Sequence, residues 1–284
     1  MKLNKKQINK IVENALKEDI SKGDITSELV IPKEKRAEAE IFARQSGILC
    51  GTSIAEAVFK KISKKLDMKI LKKDGEKINK EDKIIDIQGT SRDILKGERT
   101  ALNFLSHLSG IATLTQKFVE QVRKENSATK VMDTRKTVPG MRSIEKYAVR
   151  TGGGTNHRMS LSDGILIKEN HIALQDQGIK EIIGKIQNKH IGRKDIEIEV
   201  KNLYQLKKIG KSKINIVMLD NFCINDIKKA VKIIKNMNPE IVIEVSGGVN
   251  LENIRNIAKT GVHRISSGKL TSSAPALDFS LLVK

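Results

Sequence analysis

The chain has 284 residues, 38% of them hydrophobic, which suffices for one large domain or two ordinary ones. Its formal net charge is +19, so nucleic-acid binding, an anionic substrate and a general lysine bias compete as explanations. No apolar run approaches the roughly 20 residues of a membrane span, the polar N-terminus lacks the apolar core of a signal peptide, and two isolated cysteines provide neither a disulfide framework nor a metal cluster. We therefore expect a cytosolic protein in which Cys50 and Cys223 are buried thiols.

The first third of the chain mixes helices and short strands in a pattern typical of an α+β domain. Residues 4–19 carry apolar side chains at helical spacing and predict an amphipathic helix. A turn is expected at residues 23–26, where Asp24 could cap a helix or brace the loop. The other predicted elements are strands at 37–43, 68–71 and 83–88 and a helix at 53–61.

A long helix is predicted from about residue 97 to 124, because apolar side chains recur there along one face. Gly110 could break or kink this helix. Glu98 and Arg99 open the segment, and a cation is poorly placed in the first turn of a helix. That position raises the chance that Arg99 has an anionic partner.

From residue 130 onward, strands and helices alternate, which implies a parallel sheet with right-handed crossovers. The strands are predicted at 130–133, 164–169, 195–200, 214–219, 240–245 and 263–266. The helices are predicted at 143–150, 174–187, 202–209, 224–235 and 251–259. Polar or glycine residues finish all six strands, and in α/β barrels the chemistry gathers at the carboxyl ends of many strands. A barrel is therefore favoured over an open sheet, which would concentrate its ligands at one switch point.

The middle of the chain combines cations with glycine-rich turns, as a pocket for a ligand with several negative charges would. Arg135 and Arg158 can each clamp a carboxylate or a phosphate with two parallel hydrogen bonds. Lys136 and Lys168 offer compact charges for phosphate. Farther along, Gly247-Gly248 follows a predicted strand and precedes a helix, and such a turn suits a phosphate monoester.

Glu199 and Asp220 are acidic residues at the ends of two predicted strands, among these cations. Either they form salt bridges to nearby lysines, or they bind Mg²⁺ together with substrate phosphates. They could also stabilise a cationic sugar by charge. No GxSxG motif indicates a nucleophile and neither cysteine lies in the cationic stretch, whereas Lys168 could form a Schiff base.

Two segments of this region, DTRKTVPGMR and EKYAVRTGGGTNHRMSLSDGILIKENHI, resemble the signature of the quinolinate phosphoribosyltransferase family. The similarity extends to GERTALNFLSHLSGIAT, MLDN, EVSGGV and SAPALDFSL, and thus covers nearly the whole chain. It implies an α/β fold with an N-terminal α/β sandwich (1–110) and an incomplete, TIM-like α/β barrel (111–269), with the tail 270–284 returning to the sandwich. The implied reaction converts quinolinate and phosphoribosyl pyrophosphate (PRPP), with Mg²⁺, into nicotinate mononucleotide, pyrophosphate and CO₂.

The resemblance also implies where quinolinate binds. Arg135, His157 and Arg158 would hold its carboxylates, with assistance from Thr134. Arg99 would enter the active site of the neighbouring subunit, so the resemblance implies a homodimer and leaves a hexamer open.

For the second substrate, the resemblance implies phosphate, sugar and metal contacts at the remaining strand ends. Lys136 and Lys168 would lie over the substrate carboxylate and the pyrophosphate, Glu199 and Asp220 would face the ribose hydroxyls and Mg²⁺, and Ser246, Gly247, Gly248 and Gly268 would hold the 5-phosphate. Catalytic work would fall to Lys136, Lys168, Glu199 and Asp220. The chain departs from the family pattern at Ser272, where His is common, and this puts one phosphate contact in doubt.

Two alternatives stay open at this point. A molybdate-transport-associated relative shares the fold and much of the DTRKT segment, although Asn156 in GGGTNHR and the KENH sequence favour the quinolinate enzyme. A basic nucleic-acid-binding protein would explain the charge. Aromatic residues make up only 3% of the chain, however, and so provide few stacking platforms for bases.

Overall fold

The structure is a computed structural model that describes residues 3–175, 178–188, 195–210 and 212–284. The chain divides into two compact units. The first, which we name the antiparallel unit, comprises the chain up to Gln116, Thr137–Gly153 and Leu270–Lys284. The second, the parallel unit, comprises Lys117–Lys136 and Gly154–Lys269.

Strands and helices occur throughout both units. The strands are β1 (Arg36–Ala43), β2 (Gly47–Ile48), β3 (Asp67–Ile70), β4 (Lys77–Ile78), β5 (Lys83–Thr90), β6 (Lys130–Met132), β7 (Ile165–Ile167), β8 (Ile196–Val200), β9 (Ile216–Asp220), β10 (Val242–Ser246), β11 (Arg264–Ser266) and β12 (Phe279–Val283). The helices are α1 (Lys5–Ile20), α2 (Ile25–Val30), α3 (Thr52–Ile62), α4 (Ser91–Arg123), α5 (Arg142–Thr151), α6 (Glu169–Ala173), α7 (Ile179–Gln187), α8 (Leu203–Ile209), α9 (Ile224–Met237), α10 (Ile254–Ala258) and α11 (Lys269–Ser272). Among the described residues, no helix has both the length and the apolar character needed to cross a bilayer.

The antiparallel unit is built on a four-stranded sheet in the order β12-β1-β5-β3. The C-terminal strand β12 pairs antiparallel with β1, with Phe279 opposite Ala43 and Val283 opposite Ala39. From Ile85 onward, alternate residues of β5 are buried, as expected for a sheet with one face on a core. Asp24 caps α2, as the sequence suggested, because its side chain accepts a hydrogen bond from the backbone N–H of Ser27 at 3.0 Å.

Helix α4 differs from its prediction in two respects. It begins at Ser91, so Arg99 lies well inside the helix, and the argument from an unfavourable first-turn position is wrong. It also runs through Gly110 without the predicted break. A Cβ atom on Gly110 would lie 2.2 Å from the carbonyl oxygen of Pro275. Glycine is therefore required there because the C-terminal segment packs directly on the helix.

The parallel unit contains one six-stranded sheet in the order β6-β11-β10-β9-β8-β7. Every strand predicted after residue 130 belongs to it, and all its pairings are parallel. The chain thus contains a parallel sheet and a separate antiparallel sheet, which confirms the predicted fold class. Four of the five residues of β9 are buried, as is typical of a parallel strand covered on both faces.

Three local predictions need correction. The helix predicted at 174–187 is partly outside the described residues, and in the described part only Ile179–Gln187 (α7) is helical. Helix α10 begins at Ile254 rather than near Leu251, after a turn. Cys50 is buried as expected, but Cys223 is exposed because it precedes α9 at the surface.

Candidate active site

The carboxyl ends of the six parallel strands bring together the residues that the sequence singled out. Because neighbouring parallel strands end at the same edge of a sheet, these side chains share one edge. They are Thr134, Arg135 and Lys136 after β6, Lys168 after β7, Glu199 in β8, Asp220 at the end of β9, Ser246, Gly247 and Gly248 at the end of β10, and Gly268 after β11. Arg99 is an exposed residue of the antiparallel unit.

Two acidic residues stand at this edge beside different partners. The ammonium group of Lys168 lies 3.4 Å from a carboxylate oxygen of Glu199. Asp220 is opposite Ser246 in the strand register, and its carboxylate accepts a hydrogen bond of 2.9 Å from the side-chain amide of Asn221. Glu199 thus forms the salt bridge to a lysine that the sequence left open, whereas the Asp220 carboxylate is hydrogen-bonded to the Asn221 amide.

The glycine turn after β10 is shaped by Asn221, a residue that the sequence analysis missed. Gly247 and Gly248 have φ values of 87° and 61°, in the region that favours glycine. A Cβ atom on Gly247 would lie 2.4 Å from the side-chain oxygen of Asn221. The backbone carbonyl of Gly248 accepts a hydrogen bond from Asn253 at 2.9 Å. Because α10 starts only at Ile254, backbone amides of the turn, and not the helix terminus, are the groups that adjoin this edge.

A second glycine also permits close approach at this edge. A Cβ atom on Gly268 would lie 2.7 Å from Cδ of Lys136. The aliphatic part of Lys136 therefore lies against the Gly268 backbone, and this contact directs the lysine along the end of β11.

His157 and Arg158 reach the barrel interior from a segment that runs beside β6. Thr155 forms a parallel bridge with Met132, and the backbone N–H of His157 donates to Asp133 at 2.8 Å. Burial lowers the pKa of Arg158, the positive charge of Arg135 lowers it further, and the charge of Glu197 raises it. The two arginines are thus close enough to repel each other, an arrangement that suits a ligand with more than one negative charge.

A cavity of about 380 Å³ is lined by residues of the parallel unit, and its volume is in the size range of small-molecule sites. His157 and Arg158 line it. Other lining residues stand at or just before the first residue of a strand: Lys130, Ile165, Asp195, Ile216 and Arg264. The cavity therefore reaches from Met132, at the carboxyl end of β6, to the amino-terminal ends of the strands.

Two buried glutamates inside the barrel were also missed from the sequence. Glu197 is 4% exposed and Glu244 is 0% exposed. Strand alternation was the available signal, because Glu197 precedes Glu199 by two residues and Glu244 precedes Ser246 by two, so each pair shares a face. Burial and the charge of Glu197 raise the pKa of Glu244 to about 7, although His157 and Arg264 oppose this shift.

The raised pKa of Glu244 predicts a pH-dependent stability. The native state keeps this proton up to about pH 7, whereas the unfolded chain loses it near pH 4.5, so the free energy of unfolding falls as pH rises between these values. Glu244→Gln removes the carboxyl group that titrates. The free energy of unfolding of this variant, relative to that of the wild type, should therefore rise by at most about 3 kcal/mol from pH 4 to pH 8. Urea unfolding of both proteins at the two pH values measures this. An equal difference at both pH values would contradict the prediction.

Comparison with known proteins matches both parts of the chain to one family. Residues 24–109 match the family model described as "Quinolinate phosphoribosyl transferase, N-terminal domain". Residues 111–282 match the model described as "Quinolinate phosphoribosyl transferase, C-terminal domain".

Individual relatives are similar along their whole length. A protein of Methanocaldococcus jannaschii named "Probable nicotinate-nucleotide pyrophosphorylase (carboxylating)" is 41% identical over 276 residues, which cover 96% of this chain and 95% of the relative. A Bacillus subtilis protein of the same name is 39% identical over 280 residues, with 98% and 94% covered. The solved structure of the nicotinate-nucleotide pyrophosphorylase from Francisella tularensis superposes with a TM-score of 0.92 at 41% identity and covers 100% of this chain and 98% of that one.

Proposed function

The chain belongs to the quinolinate phosphoribosyl transferase family, and from that premise we propose which of its residues carry the reaction. The enzyme transfers phosphoribosyl from PRPP to quinolinate with loss of CO₂, a step of NAD biosynthesis, as the sequence predicted. We assign both substrates to the carboxyl-terminal edge of the parallel sheet, with quinolinate reaching inward toward Arg158. The convergence of strand-end cations with the Glu199–Asp220 pair at that edge is the observation that carries this proposal.

Quinolinate carries two carboxylates and needs two cationic partners. Arg135 and Arg158 meet this need, because the positive charge of Arg135 acts on Arg158 and lowers its pKa. A dicarboxylate placed between them would offset this repulsion, and each guanidinium can form two parallel hydrogen bonds. Thr134 and His157 would complete the quinolinate site.

PRPP needs contacts for a phosphate monoester and for a pyrophosphate. The backbone amides of Gly247 and Gly248, the Ser246 hydroxyl and the Gly268 turn would hold the 5-phosphate, since the positive φ values expose successive N–H groups. Lys136 and Lys168 would lie over the pyrophosphate. Compact ammonium charges suit this leaving group, whose negative charge grows as it departs.

Magnesium fits the donor chemistry of this edge. Glu199 and Asp220 end adjacent parallel strands, and Mg²⁺ usually binds through one or two carboxylates together with substrate phosphates. When bound, Mg²⁺ would neutralise developing negative charge on the pyrophosphate. The Asn221 amide orients the Asp220 carboxylate for this role at 2.9 Å.

The protein's part in the reaction is positioning and electrostatics. The sugar carbon develops positive charge as pyrophosphate leaves, and the Glu199 and Asp220 carboxylates would offset it. The arginines would hold the pyridine ring so that its nitrogen faces this carbon. Once the nitrogen is quaternised, the ring stabilises the electron pair left by the departing CO₂, and a proton from solvent then forms the C–H bond at that carbon. No covalent bond to Lys168 is required.

Release of labelled CO₂ from quinolinate tests the assignment. We expect release that depends on both PRPP and Mg²⁺. A salt-dependent shift of DNA in a gel without any CO₂ release would instead favour the nucleic-acid-binding alternative.

We further propose a homodimer in which Arg99 completes the partner's active site. Arg99 is an exposed arginine on α4, which makes it accessible to a second subunit. Arg99→Ala and Arg158→Ala should each be inactive alone. Co-expressed, they should regain up to about a quarter of wild-type turnover, because half of the randomly formed dimers carry one intact site.

Turnover of the co-expressed pair, compared with each variant alone, measures this complementation. Arg123→Ala removes another exposed arginine of the same helix and should be active without a partner. An absence of recovery in the co-expressed pair would show that the site is not shared.

A further inference from the structure

The His157 ring lies between two buried carboxylates that the proposed mechanism leaves without a role. Its Nε2 atom is 3.3 Å from a carboxylate oxygen of Glu197 on β8 and 3.5 Å from one of Glu244 on β10. One oxygen of Glu197 and both oxygens of Glu244 are buried without a hydrogen bond. Such groups are costly to bury unless a charge or a donor faces them, so these contacts determine where the ring lies.

The other nitrogen of the ring is also engaged. Nδ1 accepts a hydrogen bond from the backbone N–H of Arg158 at 2.8 Å. A nitrogen that accepts carries no proton, so the proton of the neutral ring must be on Nε2, facing the two glutamates.

This tautomer decides whether His157, Glu197 and Glu244 form a metal site or a network of polar contacts. The ligand atoms of His157, Glu197 and Glu244 lie within 4.8 Å of one another, as they would around a metal ion. A protonated Nε2 cannot bind a metal, and a metal-binding histidine ordinarily donates its other N–H rather than accepting there. The cluster is therefore a network of close polar contacts and charges rather than a metal site.

The network leads to Arg158. Its backbone amide is held by the His157 ring, and its guanidinium donates to the carbonyl of Gly164 at 3.1 Å. The charge of Glu197 also attracts the Arg158 guanidinium. The guanidinium of Arg264 lies 4.0 Å from a carboxylate oxygen of Glu244. Arg158 is thus held both at its backbone amide and at its guanidinium. The contact at the backbone amide depends on the two glutamates, because they face the His157 ring.

We propose that Glu197 and Glu244 are positioning residues for quinolinate, which hold the His157 ring and through it the Arg158 backbone. This inference rests on the proposed role of Arg158 in binding the quinolinate carboxylates. It assigns the buried acids to substrate affinity rather than to chemistry, because neither touches the reacting atoms.

Steady-state kinetics of Glu244→Leu and Glu244→Gln test the proposal. Leucine removes the polar group that faces the protonated Nε2 at 3.5 Å, so KM for quinolinate should rise about tenfold, equivalent to about 1.4 kcal/mol of binding. KM for PRPP should stay within about twofold of wild type, since the glycine turn is not involved. Glutamine keeps a carbonyl acceptor at the same place, and its KM for quinolinate should rise much less.

Val245→Ala is the matched control for a general loss of packing. Val245 is buried on the same strand but faces the opposite side of the sheet. It should lower the unfolding temperature without changing KM for quinolinate. An equal rise of KM in Val245→Ala and Glu244→Leu, or an unchanged KM in a folded Glu244→Leu, would overturn the proposal.

A second measurement does not depend on activity or on the leucine variant folding. In wild-type protein labelled with ¹⁵N-histidine, the His157 signals, identified by their loss in His157→Gln, should show an unprotonated Nδ1 and a protonated Nε2. A protonated Nδ1 would refute the network even in an active enzyme. If the tautomer is as expected but quinolinate is not turned over, the proposed function fails and the network stands.

Discussion

Arg158→Ala is expected to lower kcat/KM for quinolinate by about 10³-fold while the fold is retained. The substitution removes a guanidinium that can hold a carboxylate through two parallel hydrogen bonds, and it leaves Arg135 as the remaining arginine of the pair. Arg158→Lys should recover only a small part of this loss, because an ammonium group keeps the charge but not the planar pair of donors. CO₂ release at varied quinolinate concentration, with circular dichroism to verify folding, measures both effects.

An arginine elsewhere in the parallel unit controls for the loss of a positive charge. Arg255 on α10 is half exposed and forms an ion pair with Glu125. Arg255→Ala should leave turnover unchanged. Near-normal activity of a folded Arg158→Ala would contradict the assignment of quinolinate to this part of the site.

The second large effect is expected from Asp220→Asn, which should lower kcat by about 10²-fold. The amide preserves the size of the side chain but removes the negative charge that would face the ribose and Mg²⁺. The concentration of Mg²⁺ at half-maximal rate should rise as well, since one of two proposed carboxylate ligands is lost. Initial rates over a series of Mg²⁺ concentrations measure both changes.

Asp226→Asn is the matched control for this substitution. Asp226 lies in the first turn of α9, where its carboxylate is paired with Lys229 at 3.2 Å. Its replacement should change neither kcat nor the Mg²⁺ requirement. If Asp220→Asn kept full activity with an unchanged Mg²⁺ requirement, the proposed acid pair would have no part in the reaction.

Gly247 is required at its position both by its backbone conformation and by a neighbouring side chain. Any side chain there would be strained by the positive φ and would meet Asn221. The sequence identified the glycine pair as a phosphate turn but did not indicate this neighbour. Asn221 itself has a φ of 57°, a conformation that asparagine tolerates better than most residues, so the MLDN segment carried a partial signal.

The sequence by itself determined the order of strands and helices and the residues at the strand ends. Alternating apolar patterns and turn residues are local properties, so β8, β9 and β10 could be located to within about two residues. A parallel sheet then places all carboxyl ends at one edge, which is why Lys168, Glu199 and Asp220 could be grouped from the sequence alone.

Only the tertiary structure decided which side chains face one another inside the barrel. His157, Glu197 and Glu244 come from three separate segments, and their approach depends on which segments become neighbours in the folded chain, which no local pattern specifies. The same holds for Gly110, where the C-terminal segment packs against α4, and for Arg99, whose place within the helix was misjudged. Helix boundaries and long-range contacts are decided by packing between distant parts of the chain, and packing can override the local preferences that the sequence displays.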